Sequence, residues 1–295
     1  MSQTTARYDL HLHTGWSYDA TARVEPYFAA AQRYGVQCLA ITDHHVIDGQ
    51  NEVHEVARKY PDVRVIRAAE LTVSCEFGSI DLLCYGLPEI IPPALQKVLD
   101  EYHHWQQASG AAVSSGVQAL GLPFTDEQRH ALLATYRPAK VFAVQGDTHI
   151  RGAIQRDHFI EQGFVQTPEE YGAFMQRVHE HVTFPSYPDV SRVVPAVKAA
   201  GGLIAIAHPF HYFRKYDVTH MDTLRELFQL DGIECAHPKV PSEYTSLYRA
   251  YCQQHGLFST GGSDCHDESA IDSKFAQHGG PAEWLDEFLA AIDNR

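Results

Sequence analysis

Seven short apolar segments, most of them separated by helical patterns, constrain this chain more than any other feature of its sequence. They cover residues 8–13, 38–43, 63–68, 80–86, 203–207, 232–236 and 257–260. Short, continuously apolar segments are typical of strands that are buried on both faces. Strands that alternate with helices predict a parallel sheet with right-handed crossovers. We therefore predict an α/β fold in which seven strands close into a barrel.

The segments between the strands carry the signals of helix boundaries. Helices are predicted over residues 24–34, 51–59, 190–200 and 242–255, and after Pro281. Gly35 and Gly256 are suited to end two of these helices, and Pro281 is suited to begin the last one. These helices would cover the outside of the barrel.

Residues 92–187 interrupt this alternation. One helix face is marked by Leu95, Val98, Leu99, Tyr102 and Trp105. The sequences that begin at Thr125 and Thr167 are typical of capping boxes, which open helices. We predict a barrel domain formed by residues 1–91 and 188–295, and a mostly helical insert domain over residues 92–187. Inserts over a barrel mouth often contact the substrate.

Composition limits the partners of the protein. A formal net charge of −14 argues against long nucleic acids, although bound cations would still admit a small phosphorylated substrate. No segment of 18 apolar residues is present, and residues 1–7 lack the apolar core of a signal peptide, so we expect a cytoplasmic protein without a membrane partner. The six cysteines show no tight pairing and are expected to be free. The oligomeric state stays open.

Histidines and carboxylates lie at the carboxyl ends of the predicted strands, where barrel enzymes place their active sites. His11 and His13 are two residues apart on one strand, so both imidazoles point to the same face. Asp264 and His266 repeat this spacing on a glycine-containing turn. The candidate metal ligands are His11, His13, Asp19, His44, Glu70, His208, Asp264 and His266.

A mixed set of imidazoles and carboxylates suits zinc, manganese or iron(II). There are too many candidates for one ion, so two or three divalent metal ions are expected. Such a cluster would activate a water and hold the oxygens of a phosphoryl group. The sequence therefore predicts metal-dependent hydrolysis, and a phosphate ester is favoured over an amide or a lactone.

Four motifs in this chain resemble those of the polymerase and histidinol phosphatase (PHP) family. They are Asp9-Leu10-His11-Leu12-His13-Thr14, Ile41-Thr42-Asp43-His44, Ala207-His208-Pro209 and Gly262-Ser263-Asp264-Cys265-His266. The resemblance implies a distorted (β/α)7 barrel of PHP type with a trinuclear or binuclear metal centre, held by the eight residues above. Two positions differ, since Asp81 stands where many members have a histidine ligand, and His45 where many have an aspartate. Asp81 is therefore a ninth predicted ligand.

The insert resembles that of the family's nucleotide and small-phosphoester phosphatases, which implies phosphate contacts near Gly146-Asp147-Thr148-His149 or, in a rival alignment, near residues 156–158. Loops that follow the fifth and sixth strands offer further candidates, because they face the barrel mouth. The candidate phosphate contacts are His149, Arg151, Lys239 and Arg214, and the candidate catalytic proton donors are His211 and His237.

The leading functional prediction is a phosphoric monoester hydrolase that uses a metal-activated water. Its substrate would be a small phosphorylated metabolite, such as a nucleotide or a nucleoside bisphosphate. The alternatives are a 5′–3′ exonuclease on short oligonucleotides and a phosphatase of the histidinol-phosphate type. A further alternative is a barrel that binds metal without turnover.

Overall fold

A sheet of seven strands, hydrogen-bonded in chain order, forms the centre of the computed structural model, which describes residues 6–295. The strands are β1 Tyr8–Leu12, β2 Cys38–Ile41, β3 Arg64–Cys75, β4 Gly78–Tyr85, β5 Leu203–Ile206, β6 Gly232–Ala236 and β7 Phe258–Gly261. All seven predicted strands are present. The predicted fold class, a distorted seven-stranded barrel with a helical insert, is confirmed.

The barrel is closed where β1 meets the segment that follows β7. The amide of His13 donates to the carbonyl of Cys265 at 3.0 Å, and the amide of Asp264 donates to the carbonyl of His11 at 2.9 Å. Gly262 permits this approach, because a methyl group at that position would overlap the Cβ atom and the amide nitrogen of His11. The closing segment therefore carries two of the predicted ligands directly beside β1.

Strand β4 runs antiparallel to both of its neighbours. Only Glu76 and Phe77 separate it from β3, and a connection this short can join only antiparallel strands. The prediction of a fully parallel sheet is therefore wrong at β4. Strand β3 also extends to Cys75, well beyond its predicted end, so Glu70 lies within the strand rather than after it.

Twelve α-helices accompany the strands in the described part of the chain. They are α1 Val24–Tyr34, α2 Gln50–Ala57, α3 Pro93–Ala119, α4 Asp126–Ala134, α5 Ala139–Gln145, α6 Gly152–Glu161, α7 Glu170–His181, α8 Val190–Ala199, α9 Val218–Leu227, α10 Ser242–His255, α11 Ile271–Lys274 and α12 Ala282–Asp293. A short 3₁₀ helix, Glu268–Ala270, precedes α11. Gly35 and Gly256 follow α1 and α10 with φ values of 72° and 67°, and Pro281 precedes α12, as predicted.

The chain between β4 and β5 is helical, as expected. Its first helix, α3, has 27 residues and is about 40 Å long. The first half of α3 packs Leu99 and Tyr102 into the barrel core, whereas its second half packs Val113 and Val117 into a separate core of the insert. One helix thus contributes to both cores, and the predicted division into domains at residue 92 stays a prediction.

One of the two predicted capping boxes is present. The side chain of Thr125 accepts from the amide of Gln128, and the side chain of Gln128 accepts from the amide of Thr125. The prediction for Thr167 is wrong, because α7 begins only at Glu170, after a turn in which the amide of Glu170 donates to the carbonyl of Thr167.

The expectations about cysteines and membrane segments can be compared directly with the structure. All six cysteines are free, as predicted. Within residues 6–295, no helix combines the length and the apolar character that crossing a bilayer requires.

The buried carboxylate of Asp9 ties the barrel to the chain that follows β7. Its Oδ1 atom accepts from the amide of Ser263 at 3.0 Å, and its Oδ2 atom accepts from the amide of Ala276 at 2.8 Å. Burial raises the pKa of Asp9 to about 6, because these amides compensate only part of the cost of desolvation.

We predict that Asp9→Ala lowers the free energy of unfolding by about 2–4 kcal/mol, because it leaves buried amides without an acceptor. Urea denaturation followed by circular dichroism would measure the loss. Asp293→Ala, which removes an exposed partner of Arg64, is the control and should have a much smaller effect. Equal losses in the two variants would contradict this account of barrel closure.

Candidate metal centre

Glu70 lies fully buried at the centre of a cluster of imidazoles at the barrel mouth. Its Oε2 atom is 3.0 Å from His11 Nε2, 3.2 Å from His13 Nε2 and 3.3 Å from His44 Nδ1. Its Oε1 atom is 3.2 Å from His208 Nε2. One carboxylate therefore contacts four histidines that come from distant parts of the sequence.

Asp264 and Asp19 extend this cluster on the side of His266. Oδ1 of Asp264 lies 3.4 Å from His13 Nε2 and 3.5 Å from His266 Nδ1. Oδ2 of Asp19 lies 3.2 Å from His266 Nε2 and 3.5 Å from His44 Nε2. The loop after β1 therefore returns Asp19 to the site, as the sequence predicts.

Asp81 lies on the other side of Glu70. Its Oδ2 atom is 3.6 Å from His208 Nε2, and one ligand atom each from Glu70, Asp81 and His208 lie within 4.8 Å of one another. Three further groups meet the same limit: His11 with His13 and Glu70, His13 with His44 and His266, and His11 with Glu234 and His237. The structure thus brings all nine predicted ligands into one connected cluster.

Hydrogen bonds around the cluster leave lone pairs on nitrogen and oxygen atoms that face its centre. His11 Nδ1 is 2.9 Å from Glu234 Oε1, so the neutral ring carries its proton on Nδ1 and leaves Nε2 free to bind a cation. Oδ1 of Asp19 is buried and has no hydrogen-bond partner. Oε1 of Glu70 and Nδ1 of His44 are also buried, and their contacts given above lack the geometry of a hydrogen bond. Imidazole nitrogens and carboxylate oxygens in this arrangement fit manganese, iron(II) or zinc.

The pKa values in the cluster depend on one another. Burial favours a higher pKa for Glu70, but the imidazoles of His11 and His44 outweigh it and lower the pKa well below the usual range. Burial favours a lower pKa for His11, but Glu234 and Glu70 outweigh it and raise the pKa well above the usual range. Cations that bind here would therefore replace protons on imidazoles, and the carboxylates would stay ionised.

Glu234 was not predicted, although it supports the cluster directly. Its Oε1 atom accepts from His11 and its Oε2 atom accepts from the amide of His208 at 2.6 Å, so both oxygens are already engaged. The available sequence signal was a single carboxylate within the apolar segment 232–236. Glu234 therefore orients His11 and His208 through these two hydrogen bonds and is not itself among the predicted ligands.

His237 is buried beside Asp264. Its Nδ1 atom accepts from the amide of Lys239 at 2.9 Å, so the neutral ring carries its proton on Nε2. This Nε2 atom lies 3.3 Å from Oδ2 of Asp264. Because its free nitrogen carries a proton, His237 fits a hydrogen-bond donor better than a metal ligand.

Left-handed backbone conformations also occur at the cluster. His208, Asp264 and His45 have φ values of 28°, 51° and 64°. Such values are uncommon for residues other than glycine and are concentrated at functional sites. The turns that aim His208 and Asp264 into the cluster therefore carry local strain.

Three of the predicted substrate residues lie at the rim of the cluster. Nζ of Lys239 is 3.0 Å from Oδ2 of Asp264, and its side chain is 56% exposed. Arg151 donates two hydrogen bonds, of 2.7 and 2.9 Å, to Asp267, the residue after the candidate ligand His266. The ring of His149 lies 3.8 Å from that of Tyr18, and burial lowers its pKa to about 4.

His211 and Arg214 do not reach the cluster. Both are exposed, and no hydrogen bond or ion pair within residues 6–295 joins either side chain to a candidate ligand. The rival segment 156–158 lies on α6, where Arg156 pairs with its neighbour Asp157. The functional roles predicted for His211 and Arg214 stay predictions without a supporting contact.

The sequence analysis also missed Arg137, which joins the insert to the loop after β1. Its buried guanidinium donates to the side chains of Thr148 and Gln145, each at 2.6 Å, and to the carbonyl of Trp16 at 3.3 Å. Arginine followed by proline, at residues 137–138, was the available signal. This contact holds the segment that contains His149 against the barrel mouth.

Residues 9–207 match the family described as the PHP domain. This chain belongs to the PHP domain family. The predicted family resemblance is therefore confirmed. The match includes the motifs at residues 9–14 and 41–44 and ends at Ala207, the first residue of the third motif.

Relatives of this PHP protein extend over most of its length. A 5′–3′ exoribonuclease from Haemophilus influenzae is 21% identical over 268 residues, which cover 89% of this chain and 90% of the relative. A structure from Bifidobacterium adolescentis, assigned as a metal-dependent phosphoesterase, has a TM-score of 0.71 at 23% identity and 96% coverage of both chains. An amidohydrolase from Chromobacterium violaceum, with bound sulfate and no metal, has a TM-score of 0.70 at 20% identity, with 96% of this chain and 97% of that chain covered.

Family membership, fold and the clustered histidines and carboxylates together support a metal-dependent phosphoesterase of the PHP type. The predicted divalent cofactors agree with this cluster.

We predict that manganese raises the thermal unfolding temperature of the protein and that Glu70→Gln removes most of this increase. At a metal concentration of 100 times Kd, a cation that binds only the folded state stabilises it by about 2.7 kcal/mol. Differential scanning calorimetry with manganese and with EDTA would measure both effects. Glu287→Gln, which alters a surface pair with Arg249, is the control. An unchanged response in Glu70→Gln would contradict a central role of Glu70.

Proposed function

We propose that this PHP protein is a phosphatase that hydrolyses a phosphate monoester of a small phosphorylated metabolite, such as a nucleotide or a nucleoside bisphosphate. The observation that carries this proposal is the contact of Glu70 with four imidazoles. Two or three divalent ions of manganese, iron or zinc would be held by the nine clustered residues. When bound, such ions activate water and neutralise the charge of the phosphoryl oxygens.

Seven of the nine residues that would hold the ions fall into three overlapping groups, and Asp19 and Asp264 lie beside them. Glu70 belongs to two of them, with His11 and His13 in one and with Asp81 and His208 in the other. His13 also belongs to a third group, with His44 and His266. Shared ligands keep neighbouring cations a few ångströms apart, which is the arrangement that phosphoryl transfer uses.

Lys239 and His237 support the binding of the reacting phosphate. The ammonium group of Lys239 is half exposed and already lies at the cluster, where it could exchange Asp264 for a phosphate oxygen. His237 presents a proton on Nε2 at the same carboxylate, so it suits a hydrogen bond to the leaving oxygen. Full proton donation would require a second proton on Nδ1, which accepts from the Lys239 amide.

Arg151 and His149 support the binding of a second phosphate by the insert. Arg151 donates one N–H from each terminal nitrogen to Asp267, which leaves three of its five N–H groups for other acceptors. His149 has a buried Nδ1 atom without a partner. A substrate with two phosphates would therefore find donors on both the barrel loops and the insert.

A second candidate function is 5′–3′ exonuclease activity on short oligonucleotides. It is favoured by the Haemophilus influenzae relative, which is a 5′–3′ exoribonuclease. The net charge of −14 opposes long polyanions and favours a short strand or a mononucleotide. The sulfate bound in the Chromobacterium violaceum neighbour is compatible with both candidates, because sulfate resembles a terminal phosphate.

A substrate panel with manganese would test the proposal. We expect phosphate release from nucleoside bisphosphates and mononucleotides. We also expect kcat to fall by about a hundredfold or more in Asp264→Asn, because this residue is itself a candidate ligand and contacts three others, His11, His13 and His266. Asp293→Asn is the control. Faster turnover of short oligonucleotides would favour the exonuclease. Faster turnover of histidinol phosphate would favour a phosphatase of the histidinol-phosphate type. Absence of turnover on every member would refute a phosphatase.

Arg151→Ala should raise KM for a nucleoside bisphosphate by about tenfold and change KM for a simple monoester much less, because only the former offers a second phosphate. Steady-state kinetics on both substrates would measure the difference. The control is Arg156→Ala, which removes a nearby surface arginine on α6. An equal change in KM for both substrates would exclude Arg151 from the site of the second phosphate.

A further inference from the structure

We infer that His45, Thr72 and Tyr212 are positioning residues that fix the carboxylate of Asp81 for metal binding. This inference rests on the proposed function, because it takes Asp81 as a ligand. None of the three belongs to the predicted ligand set. Each acts through Asp81, directly or by one intermediate hydroxyl.

Both oxygens of Asp81 accept a hydrogen bond from the protein. Thr72 lies directly opposite Asp81 in the antiparallel pair of β3 and β4, and its hydroxyl donates to Oδ1 at 2.6 Å. The hydroxyl of Tyr212, from the loop after β5, donates to Oδ2 at 2.8 Å. The carboxylate cannot rotate without breaking these two bonds, so its orientation toward His208 is fixed.

The direction of the hydrogen bonds follows from the number of protons available. The hydroxyl of Thr72 has one proton, which it gives to Asp81. Its contact with His45 Nε2, at 2.8 Å, must therefore be a bond that it accepts. The chain of donors runs from His45 through Thr72 to Asp81, and each bond strengthens the next.

Packing from the insert holds the ring of His45 in place. It lies parallel to the ring of Tyr102, with an interplanar angle of 1° and centroids 5.0 Å apart. The ring of Trp105 meets it edge-on, with centroids 5.2 Å apart and an interplanar angle of 76°. The hydroxyl of Tyr102 also donates to the carbonyl of Thr72 at 2.7 Å. Helix α3 thus fixes both members of the chain that leads to Asp81.

The hydrogen bonds to Asp81 matter because its side chain is short for a metal ligand. An aspartate side chain has one methylene group, so it reaches less far than an imidazole, and Oδ2 of Asp81 stands 3.6 Å from His208 Nε2. His45 and Asp81 are the two positions at which this chain departs from the PHP motifs. They lie at the two ends of one hydrogen-bonded chain, with Thr72 between them.

Metal binding by the full-length protein would test the inference, with manganese as the probe. We expect Thr72→Val and Tyr212→Phe to weaken the site of Glu70, Asp81 and His208 by about 10–100-fold, which is typical of groups that orient ligands. Elemental analysis would show the loss of about one ion per chain, and titration calorimetry would give the affinities. His45→Phe keeps the ring stacking, removes the donor and should weaken the same site.

Two variants serve as matched controls. Thr72→Ser keeps the hydroxyl, and Tyr244→Phe removes the hydroxyl of another half-buried tyrosine that has no hydrogen bond to Asp81. Both should bind manganese like the wild type. Unchanged binding by Tyr212→Phe, or an equal loss in Thr72→Ser, would overturn the inference, and Tyr212→Phe decides it alone if Thr72→Val does not fold. A wild-type protein that binds none of manganese, iron(II) and zinc would refute the proposed function, and the inference with it.

Discussion

A single buried carboxylate organises this protein. Glu70 is fully buried and contacts the imidazoles of His11, His13, His44 and His208. A charge in such a position is tolerated only when opposite charges and hydrogen-bond donors surround it closely. The ends of β1, β2 and β5 must therefore converge on the middle of β3. The same requirement explains why protons or cations have to occupy the space between these side chains.

The reversal of β4 determines what surrounds that carboxylate. Because β3 continues past Glu70 into a tight hairpin, its partner strand brings Asp81 back beside Thr72. A parallel β4 would have started at the opposite end of the barrel and would have placed a different residue here. The antiparallel strand also ends at the base of the barrel, so α3 has to run back along the outside before the insert can cover the mouth. Strand direction thus sets both the ligand set and the position of the insert.

The sequence was sufficient to predict the seven strands and eight of the clustered side chains, because parallel strands place their carboxyl ends at one edge. The ninth, Asp81, was predicted only from the resemblance to the PHP motifs. The sequence was insufficient to predict features that depend on contacts between helices, strands and loops. The direction of β4 depended on a two-residue connection. The prediction did not show this connection, because it ended the third strand at residue 68 and assigned residues 69–79 to no strand. Glu234 and Thr72 act through the register of neighbouring strands, which no local pattern encodes. His211 and Arg214 follow a strand as predicted, but the chain turns there, with φ of 48° at Arg214, and leaves both side chains in solvent.

Helix α3 determines how far the insert can be treated as a separate unit. Leu95, Leu99 and Tyr102 fill the barrel core, and only the later turns of the helix belong to the core of the insert. Excising residues 92–187 would uncover an apolar side of the barrel and remove the stacking partner of His45. The cover of the candidate site is therefore a continuous part of the barrel wall, and a shortened protein would need a replacement for the first half of this helix.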